Sequence, residues 1–332
     1  MPDLFSFATP AAQEAQDRRR QMLRTAFGPT IATALADPTV IEVMVNPDGR
    51  LWIDRAGSGR ADSGARLGAA ETERIIRLVA AHVRREVTDK APVVSAELPD
   101  TGERFEGIVP PVAPAPCFAI RKPADVPYRL ADYVAARIMT PPQASILAQA
   151  VREKRNIVVA GGTSSGKTTL VNALLAEVAE LGERVVILED TRELRCTAED
   201  VVALRTKPGV ASLADLVRST LRLRPDRIIV GEVRGAEALD MLKAWNTGHP
   251  GGLTTVHANS AAAALTRLEQ LVQEAVITVP RALIAEAIDL IVFIKGRGAE
   301  RRVESILELV GLDEDGSYLL APAAAPALHV VS

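Results

Sequence analysis

One stretch of the sequence, residues 157–170, carries residue types at spacings that suit the phosphates of a nucleotide. The apolar run Ile157 to Ala160 is followed by GGTSSGKT, which fits the pattern G-x-x-x-x-G-K-[ST]. Glycines allow successive backbone N–H groups to converge on phosphate oxygens, and a following helix adds the positive end of its dipole. The segment is predicted to bind a nucleoside triphosphate through Gly161, Gly162, Thr163, Ser164, Ser165, Gly166, Lys167, Thr168 and Thr169.

Two side chains of this phosphate loop, residues 161–168, have separate expected roles. The Lys167 ammonium group can reach the β- and γ-phosphates and is a catalytic candidate. The Thr168 hydroxyl can ligate Mg²⁺, which prefers oxygen ligands. ATP as substrate and Mg²⁺ as cofactor are therefore expected.

Carboxylates follow two other strand-like runs. VVIL leads into Glu189 and Asp190, and RIIV leads into Gly231 and Glu232. Glu232 is the catalytic candidate for orienting or activating the attacking water. Glu189 and Asp190 are expected to form a second carboxylate patch near the metal, with Glu189 as a further catalytic candidate that meets Mg²⁺ directly or through a water. The alternative is that these carboxylates pair with neighbouring arginines. Gly231 stands where many phosphate-loop enzymes carry a metal-binding Asp, which weakens a direct-ligand role for this strand.

His257 closes the strand-like run LTTV and follows the glycine-rich segment 248–252. A polar residue at such a strand end can sense the γ-phosphate through a hydrogen bond; a helix cap or a loop histidine is the alternative.

Guanidinium groups suit phosphoryl transfer because they neutralise spreading charge. One or two of the nearby arginines are candidates to act across a subunit boundary, and most are expected in structural ion pairs: Arg218, Arg222, Arg224, Arg227 and Arg234.

Composition limits the classes of protein that fit. A chain of 332 residues exceeds one average core, so two domains are expected. The net charge of −3 and the aromatic fraction of 3% argue against broad nucleic-acid binding. The two cysteines fit no metal-ligand spacing, which favours reduced thiols in the cytosol. No apolar run approaches the ~20 residues that span a bilayer, and the N-terminus lacks an export-signal pattern.

The first part of the chain reads as a small α+β domain. Helical patterns cover residues 11–36 and 70–86, and VIEVMVNPDGRLWID reads as a β-hairpin. Short strands are predicted at 91–98, 103–109 and 117–121. In the second part, strand-like runs at 157–160, 185–188, 228–230, 253–256 and 291–294 alternate with helices, which predicts an α/β domain with a mostly parallel sheet. The predicted segments are an N-terminal domain (1–125), a proline-rich linker (126–142), the α/β domain (143–320) and a flexible tail (321–332).

Four ordered segments resemble the nucleotide-site motifs of the secretion-traffic ATPases, with greatest similarity to the TrbB-type conjugal-transfer group. They are GGTSSGKTTL, ILEDTREL, LRLRPDRIIVGEVRG and TGHPGGLTTVHAN, and VMVNPDGRLWID is similar to that group's N-terminal hairpin. The resemblance implies a RecA-like P-loop NTPase domain, an N-terminal domain hinged onto it, and nucleotide held between the two. It also implies that Arg104 and Arg121 of the N-terminal domain reach the phosphates, and that Gly231 is normal for this family.

The resemblance further implies a homohexameric ring of cytoplasmic subunits that docks at the inner membrane through other type IV secretion and conjugation proteins. The expected function is an ATPase that powers conjugative pilus assembly or substrate transfer, without stable nucleic-acid binding. A type IV pilus or type II secretion motor is the nearest alternative. A RecA-like nucleic-acid translocase and a nucleotide-binding scaffold without hydrolysis are two further alternatives.

Overall fold

The computed structural model describes residues 10–99, 102–122, 128–207 and 209–324, without the side chains of residues 10–17, 19, 20 and 299. The chain divides into two compact units, Met1–Asp125 and Val126–Ser332. No helix within the described ranges is long and apolar enough to cross a membrane.

The first unit combines two helices with a six-stranded sheet. Each neighbouring pair of strands is antiparallel, in the order β3-β2-β1-β6-β5-β4. The elements are α1 (Pro10–Ala36), β1 (Val40–Val45), β2 (Arg50–Arg55), β3 (Gly59–Arg66), α2 (Ala69–His82), β4 (Val93–Glu97), β5 (Arg104–Ile108) and β6 (Cys117–Arg121). Helix α1 is kinked at Gly28, where φ is +65°, immediately before Pro29.

The predicted hairpin and the helical face of α2 are confirmed. At the turn between β1 and β2, Gly49 has φ +79°, and a Cβ there would lie 2.5 Å from the Leu67 carbonyl oxygen. Ile75, Ile76 and Val79 of α2 are fully buried in the core of this unit. Strand β3 was not predicted because its sequence, GRADSGAR, lacks alternation and buries no side chain.

The second unit is built on an eight-stranded sheet in the order β14-β13-β12-β7-β11-β10-β8-β9. The six strands from β12 to β9 in this order are parallel, and β13 and β14 add an antiparallel hairpin. The elements are α3 (Leu130–Ala135), α4 (Pro141–Arg152), β7 (Ile157–Gly161), α5 (Lys167–Ala179), β8 (Val185–Glu189), β9 (Val201–Arg205), α6 (Leu213–Thr220), β10 (Arg227–Val230), α7 (Glu237–Asn246), β11 (Leu253–His257), α8 (Ala261–Gln273), α9 (Arg281–Ala287), β12 (Leu290–Lys295), β13 (Arg302–Leu312) and β14 (Tyr318–Pro322).

Helices cover both faces of this sheet. Ile157 and Val159 of β7 pack with α3, α4 and α5, whereas Val158 and Ala160 pack in the core that contains α6 to α9. Burial on both faces explains why the central strands read as continuous apolar runs. The predicted α/β class is confirmed, and the carboxyl ends of the parallel strands meet at one edge, where the motifs lie.

Two predicted boundaries need correction. Residues 128–142, within the predicted linker, contain α3 and the start of α4, and Tyr133 is only 1% exposed in the core of the second unit. The tail predicted from residue 321 begins inside β14, which ends at Pro322. Residues 123–127 and 325–332 lie outside the described ranges.

Candidate nucleotide site

The phosphate loop joins β7 to α5. A Cβ atom at Gly161 would lie 2.4 Å from the Ile294 carbonyl oxygen and 2.6 Å from Ser165 Oγ, so only glycine fits. Ser164 has φ +63° and Gly166 has φ +98°, and α5 begins at Lys167. Left-handed turns of this kind form backbone nests that bind anions. Thr163 lies in the loop just before these left-handed residues, and Thr169 lies after them in the first turn of α5.

Lys167 contacts His257 across the carboxyl edge of the sheet. Its side chain is 7% exposed, and Nζ lies 3.2 Å from the Gly162 carbonyl oxygen and 3.3 Å from His257 Nδ1. Nζ also lies 3.5 Å from His257 Nε2, but Nε2 lies 2.9 Å from a Glu232 carboxylate oxygen, so the imidazole proton is assigned to Nε2 and Nδ1 accepts from the ammonium group. Strands β7 and β11 pair in parallel with Gly161 opposite His257, and this register brings the two groups together.

Both carboxylate oxygens of Glu232 have basic neighbours. His257 Nε2 lies 2.9 Å from Oε1, and Arg234 contacts Oε2 through Nη2 and, at 2.9 Å, through Nε. Burial and the charge of Lys167 lower the pKa of His257, with Glu232 acting in the opposite direction. His257 is therefore neutral near pH 7. Lys167, His257, Glu232 and Arg234 form a continuous chain of contacts, here called the basic–acidic chain.

Thr168 faces a carboxylate that the sequence analysis did not select. Its hydroxyl donates to Glu193 Oε2 at 3.0 Å, and Asn172 Nδ2 donates to the Glu193 carbonyl oxygen at 3.1 Å. Asn172 also accepts from the Arg195 N–H at 2.8 Å, which ties this segment to α5. The sequence pattern that could have identified Glu193 is a second glutamate four residues after Glu189, in ILEDTRE.

Glu189 has a different environment from the expected one beside Thr168. Its side chain is buried, and Oε1 accepts from the backbone N–H groups of Glu193 and Leu194, each at 2.8 Å. Burial raises the pKa of Glu189 to about 7. A Cβ at Gly231 would lie 3.0 Å from Glu189 Cγ, so a side chain at 231 would crowd this carboxyl group. Glu189 therefore shapes the loop that presents Glu193. The lack of space beside Glu189 explains why position 231 is a glycine.

The oxygen groups beside the phosphate loop suit Mg²⁺. Thr168 and Glu193 supply a hydroxyl and a carboxylate, the hard ligands that Mg²⁺ prefers. No group of three or more His, Cys, Asp or Glu that could hold a metal occurs among the described residues. Mg²⁺ bound with a nucleotide takes most of its ligands from phosphates and water, so such a group is not required.

The arginines separate into different environments. Arg227 is fully buried and pairs with Glu183, and Arg218 pairs with Asp215 and Asp240. Both arginines therefore form the structural ion pairs that were expected for most of this group. Arg222 and Arg224 are exposed beyond α6.

Arg104 and Arg121 lie in the first unit as direct partners on β5 and β6. Glu42 is opposite Arg121 on β1. Burial raises the pKa of Glu42, and Arg121 and Arg104 counteract the rise. The two arginines and Glu42 therefore share one face of this sheet, and the phosphate contacts of Arg104 and Arg121 remain a prediction.

Residues 27–296 match the profile of the family described as type II/IV secretion system protein. The chain belongs to this family. It is 50% identical over 291 residues to the conjugal transfer protein TrbB of Rhizobium radiobacter, covering 87% of this chain and 90% of that protein. The prediction of a TrbB-type traffic ATPase of type IV secretion is thereby confirmed.

Two solved structures share the fold of this family member. The ATPase DotB of Legionella pneumophila aligns with a TM-score of 0.55 at 20% identity, covering 96% of this chain and 82% of that chain. The pilus retraction motor PilT with bound ADP aligns with a TM-score of 0.57 at 18% identity, covering 90% of this chain and 81% of that chain.

Proposed function

We propose that this family member is a Mg²⁺-dependent ATP hydrolase with a RecA-like domain, and that it powers a conjugative type IV secretion system. The observation that carries the proposal is the basic–acidic chain, which joins the phosphate-loop lysine through His257 at the end of β11 to the Glu232 carboxylate just after β10. A nucleotide-binding scaffold without hydrolysis would not need a carboxylate in this position. The TrbB relative supports the conjugative role.

The chain of contacts suggests how ATP changes the site. Lys167 is held by the Gly162 carbonyl and by His257, and a γ-phosphate offers it a stronger, charged partner. When Lys167 turns to the phosphate, His257 Nδ1 loses its donor and becomes available to the phosphate or to water. His257 thereby senses the γ-phosphate and transmits its presence to Glu232.

Glu232 is the proposed base. The attacking water forms a bond to the γ-phosphorus as the bond to the β–γ bridging oxygen breaks, and the water's proton passes to a Glu232 oxygen. Arg234 donates to Oε2, whereas Oε1 has no hydrogen-bond partner within the described residues, so Oε1 is the oxygen that can take the proton. The charges of Asp190 and Glu193 act on Arg234 together with that of Glu232, so these two carboxylates are alternative partners for it. Lys167 neutralises charge that develops on the phosphates.

Mg²⁺ would neutralise phosphate charge when bound. Thr168 would hold it through its hydroxyl, with Glu193 as the nearest carboxylate, directly or through a water. Glu189 keeps a structural role because its Oε1 serves two backbone N–H groups.

The further parts of the proposal concern the assembly. Arg104 and Arg121 complete the phosphate site from the first unit, and six subunits form a ring. ATP binding and hydrolysis change the arrangement of the domains, because the γ-phosphate supplies contacts that ADP lacks. The ring acts on other secretion and conjugation proteins at the cytoplasmic face of the inner membrane.

The experiment compares ATP turnover and ADP binding in the wild type, Lys167→Ala and Glu232→Gln. Lys167→Ala is expected to lose both activities, and Glu232→Gln to keep ADP binding while turnover falls about 10²–10⁴-fold, the range for a lost general base. Glu180→Gln, an exposed glutamate after α5, is the control for the amide substitution. Full turnover by Glu232→Gln would contradict the assigned base, and a wild type that binds nucleotide without turnover would support the scaffold.

A further inference from the structure

Arg301 contacts the phosphate loop from the connection between β12 and β13. Its Nη2 donates to the Ser164 carbonyl oxygen at 3.4 Å. A Cβ atom at Gly166 would lie 3.0 Å from Arg301 Nε and 3.2 Å from its Cδ and Cζ. The guanidinium group therefore fills the space that a side chain at position 166 would take. The two contacts bracket the left-handed turn of the loop.

The position of Arg301 is built into the fold. At Gly296 φ is +80°, and a Cβ there would lie 2.2 Å from the Glu300 carbonyl oxygen, so the connection closes tightly. The Arg301 N–H donates to the Gly298 carbonyl oxygen at 3.3 Å. Just beyond, the Val303 N–H donates to the Ile138 carbonyl oxygen at 2.7 Å. A short turn fixed at both ends delivers the guanidinium group to the phosphate loop.

The guanidinium group is only partly compensated by the protein. Arg301 Nε is buried and has no hydrogen-bond partner within the described ranges. Its charge also reaches the buried Tyr133 of α3, where it lowers the pKa against the raising effect of burial. A buried donor without a partner costs free energy. A phosphate on the neighbouring turn would offset that cost by placing negative charge beside the guanidinium group.

The peptide between Ser164 and Ser165 shows how Arg301 can act. In a trans peptide the carbonyl and the following N–H point in opposite directions. Arg301 holds the Ser164 carbonyl, so the Ser165 N–H is directed to the other side, where it now donates to the Gly162 carbonyl oxygen at 3.3 Å. Fixing this peptide keeps one N–H of the nest aimed inward, where phosphate oxygens bind.

We propose that Arg301 is a positioning residue for nucleotide binding, which orients the Ser164–Gly166 turn and adds positive charge beside it. The inference rests on the proposed function, because it assigns a role in the same nucleotide site. Arg301 acts through the backbone of the Ser164–Gly166 turn, whose N–H groups can hold the phosphates of ADP as well as those of ATP. Its loss therefore weakens binding rather than the chemical step.

The test measures ADP affinity by calorimetry, together with KM and kcat for ATP, in Arg301→Ala and Arg301→Lys. Arg301→Ala is expected to raise the Kd for ADP and the KM for ATP about tenfold, the size of one charge-assisted contact, with kcat within about twofold. Arg301→Lys keeps the charge but loses the planar packing on Gly166, so an intermediate Kd is expected. Arg302→Ala, an exposed neighbour on β13, is the matched control and should bind as the wild type does.

The outcomes separate this inference from the proposed function. Wild-type affinity in Arg301→Ala, with or without a lower melting temperature, would reduce Arg301 to a structural role and overturn the inference alone. A fall in kcat with Kd and KM unchanged would overturn it as well. A wild type that binds no nucleotide would remove the proposed function together with the inference. If Arg301→Ala does not fold, Arg301→Gln and Arg301→Lys provide the same comparison.

Discussion

At the scale of single residues, two glutamates four positions apart have different chemistry because their surroundings differ. Glu189 is 6% exposed and accepts two backbone hydrogen bonds through one oxygen, whereas Glu193 meets the Thr168 hydroxyl. Burial favours the neutral acid of Glu189, and its pKa of about 7 follows. Titration of this group therefore couples the stability of the folded chain to pH.

Glu189→Gln tests this coupling through stability. Between pH 4.5 and about 7 the unfolded chain has lost the Glu189 proton while the folded chain keeps it. The free energy of unfolding of the wild type therefore falls as pH rises through this window, by at most about 3 kcal/mol. Glutamine stays neutral, so the free energy of unfolding of the variant should rise relative to that of the wild type from pH 5 to pH 8. Urea unfolding at four pH values in this range measures the difference.

The exposed Glu71→Gln of α2 controls for removing one carboxyl group from the chain. It should follow the wild type across the same pH range. Parallel pH profiles for Glu189→Gln and the wild type would show that the Glu189 carboxyl group is ionised in the folded protein at pH 5.

At the scale of elements, Arg227 ties together the end of the sheet remote from the phosphate loop. Its fully buried guanidinium group pairs with Glu183 and donates to the carbonyl oxygens of Val151, at 2.7 Å, and Gly251, at 3.3 Å. These partners lie just before β8, near the end of α4 and just before β11. Four elements therefore share one cation, which also explains why Arg227 is not a phosphate ligand.

Arg227→Ala is expected to lower the free energy of unfolding by about 3–5 kcal/mol, because it leaves a partly buried carboxylate and two carbonyls without their donor. Arg224→Ala, at an exposed position three residues earlier, is the matched control, with an expected change within about 0.5 kcal/mol. Denaturant unfolding monitored by circular dichroism measures both. A loss below about 1 kcal/mol in Arg227→Ala would mean that Lys154, which also pairs with Glu183, suffices for that carboxylate.

At the scale of the whole molecule, the ring proposal predicts that activity depends on assembly. ATP turnover per subunit should rise with protein concentration as a six-subunit species forms, because sites completed by neighbours work only in the ring. Light scattering and turnover measured on the same dilution series test this, with Lys167→Ala as the inactive control. Full turnover by a monomer would contradict the ring and any arginine acting across subunits.

The same series distinguishes the translocase alternative. A net charge of −3 and an aromatic fraction of 3% provide little for backbone contacts or base stacking. Single-stranded DNA should therefore leave turnover unchanged even at low salt. Stimulation that disappears as salt rises would favour a nucleic-acid translocase instead.

The sequence by itself determined the features that depend on consecutive residues. The phosphate loop, the five central strands of the second unit, the hairpin of the first unit and the α/β class follow from local turns and hydrophobic runs. Strands β9, β13 and β14 were not predicted because they lie at the two ends of the sheet order, where burial is partial and the hydrophobic pattern is weak. Glu232 and His257 were selected because parallel strands end at one edge.

Only the tertiary structure decided which side chains of that edge meet. Glu193 rather than Glu189 reaches Thr168, because the loop after β8 turns Glu189 inward to bond backbone N–H groups. Arg234 and His257 share Glu232, and Arg301 reaches Ser164 over 137 residues of sequence. Such pairings depend on strand order and on the direction in which each side chain leaves its loop. These are long-range properties that local patterns do not contain.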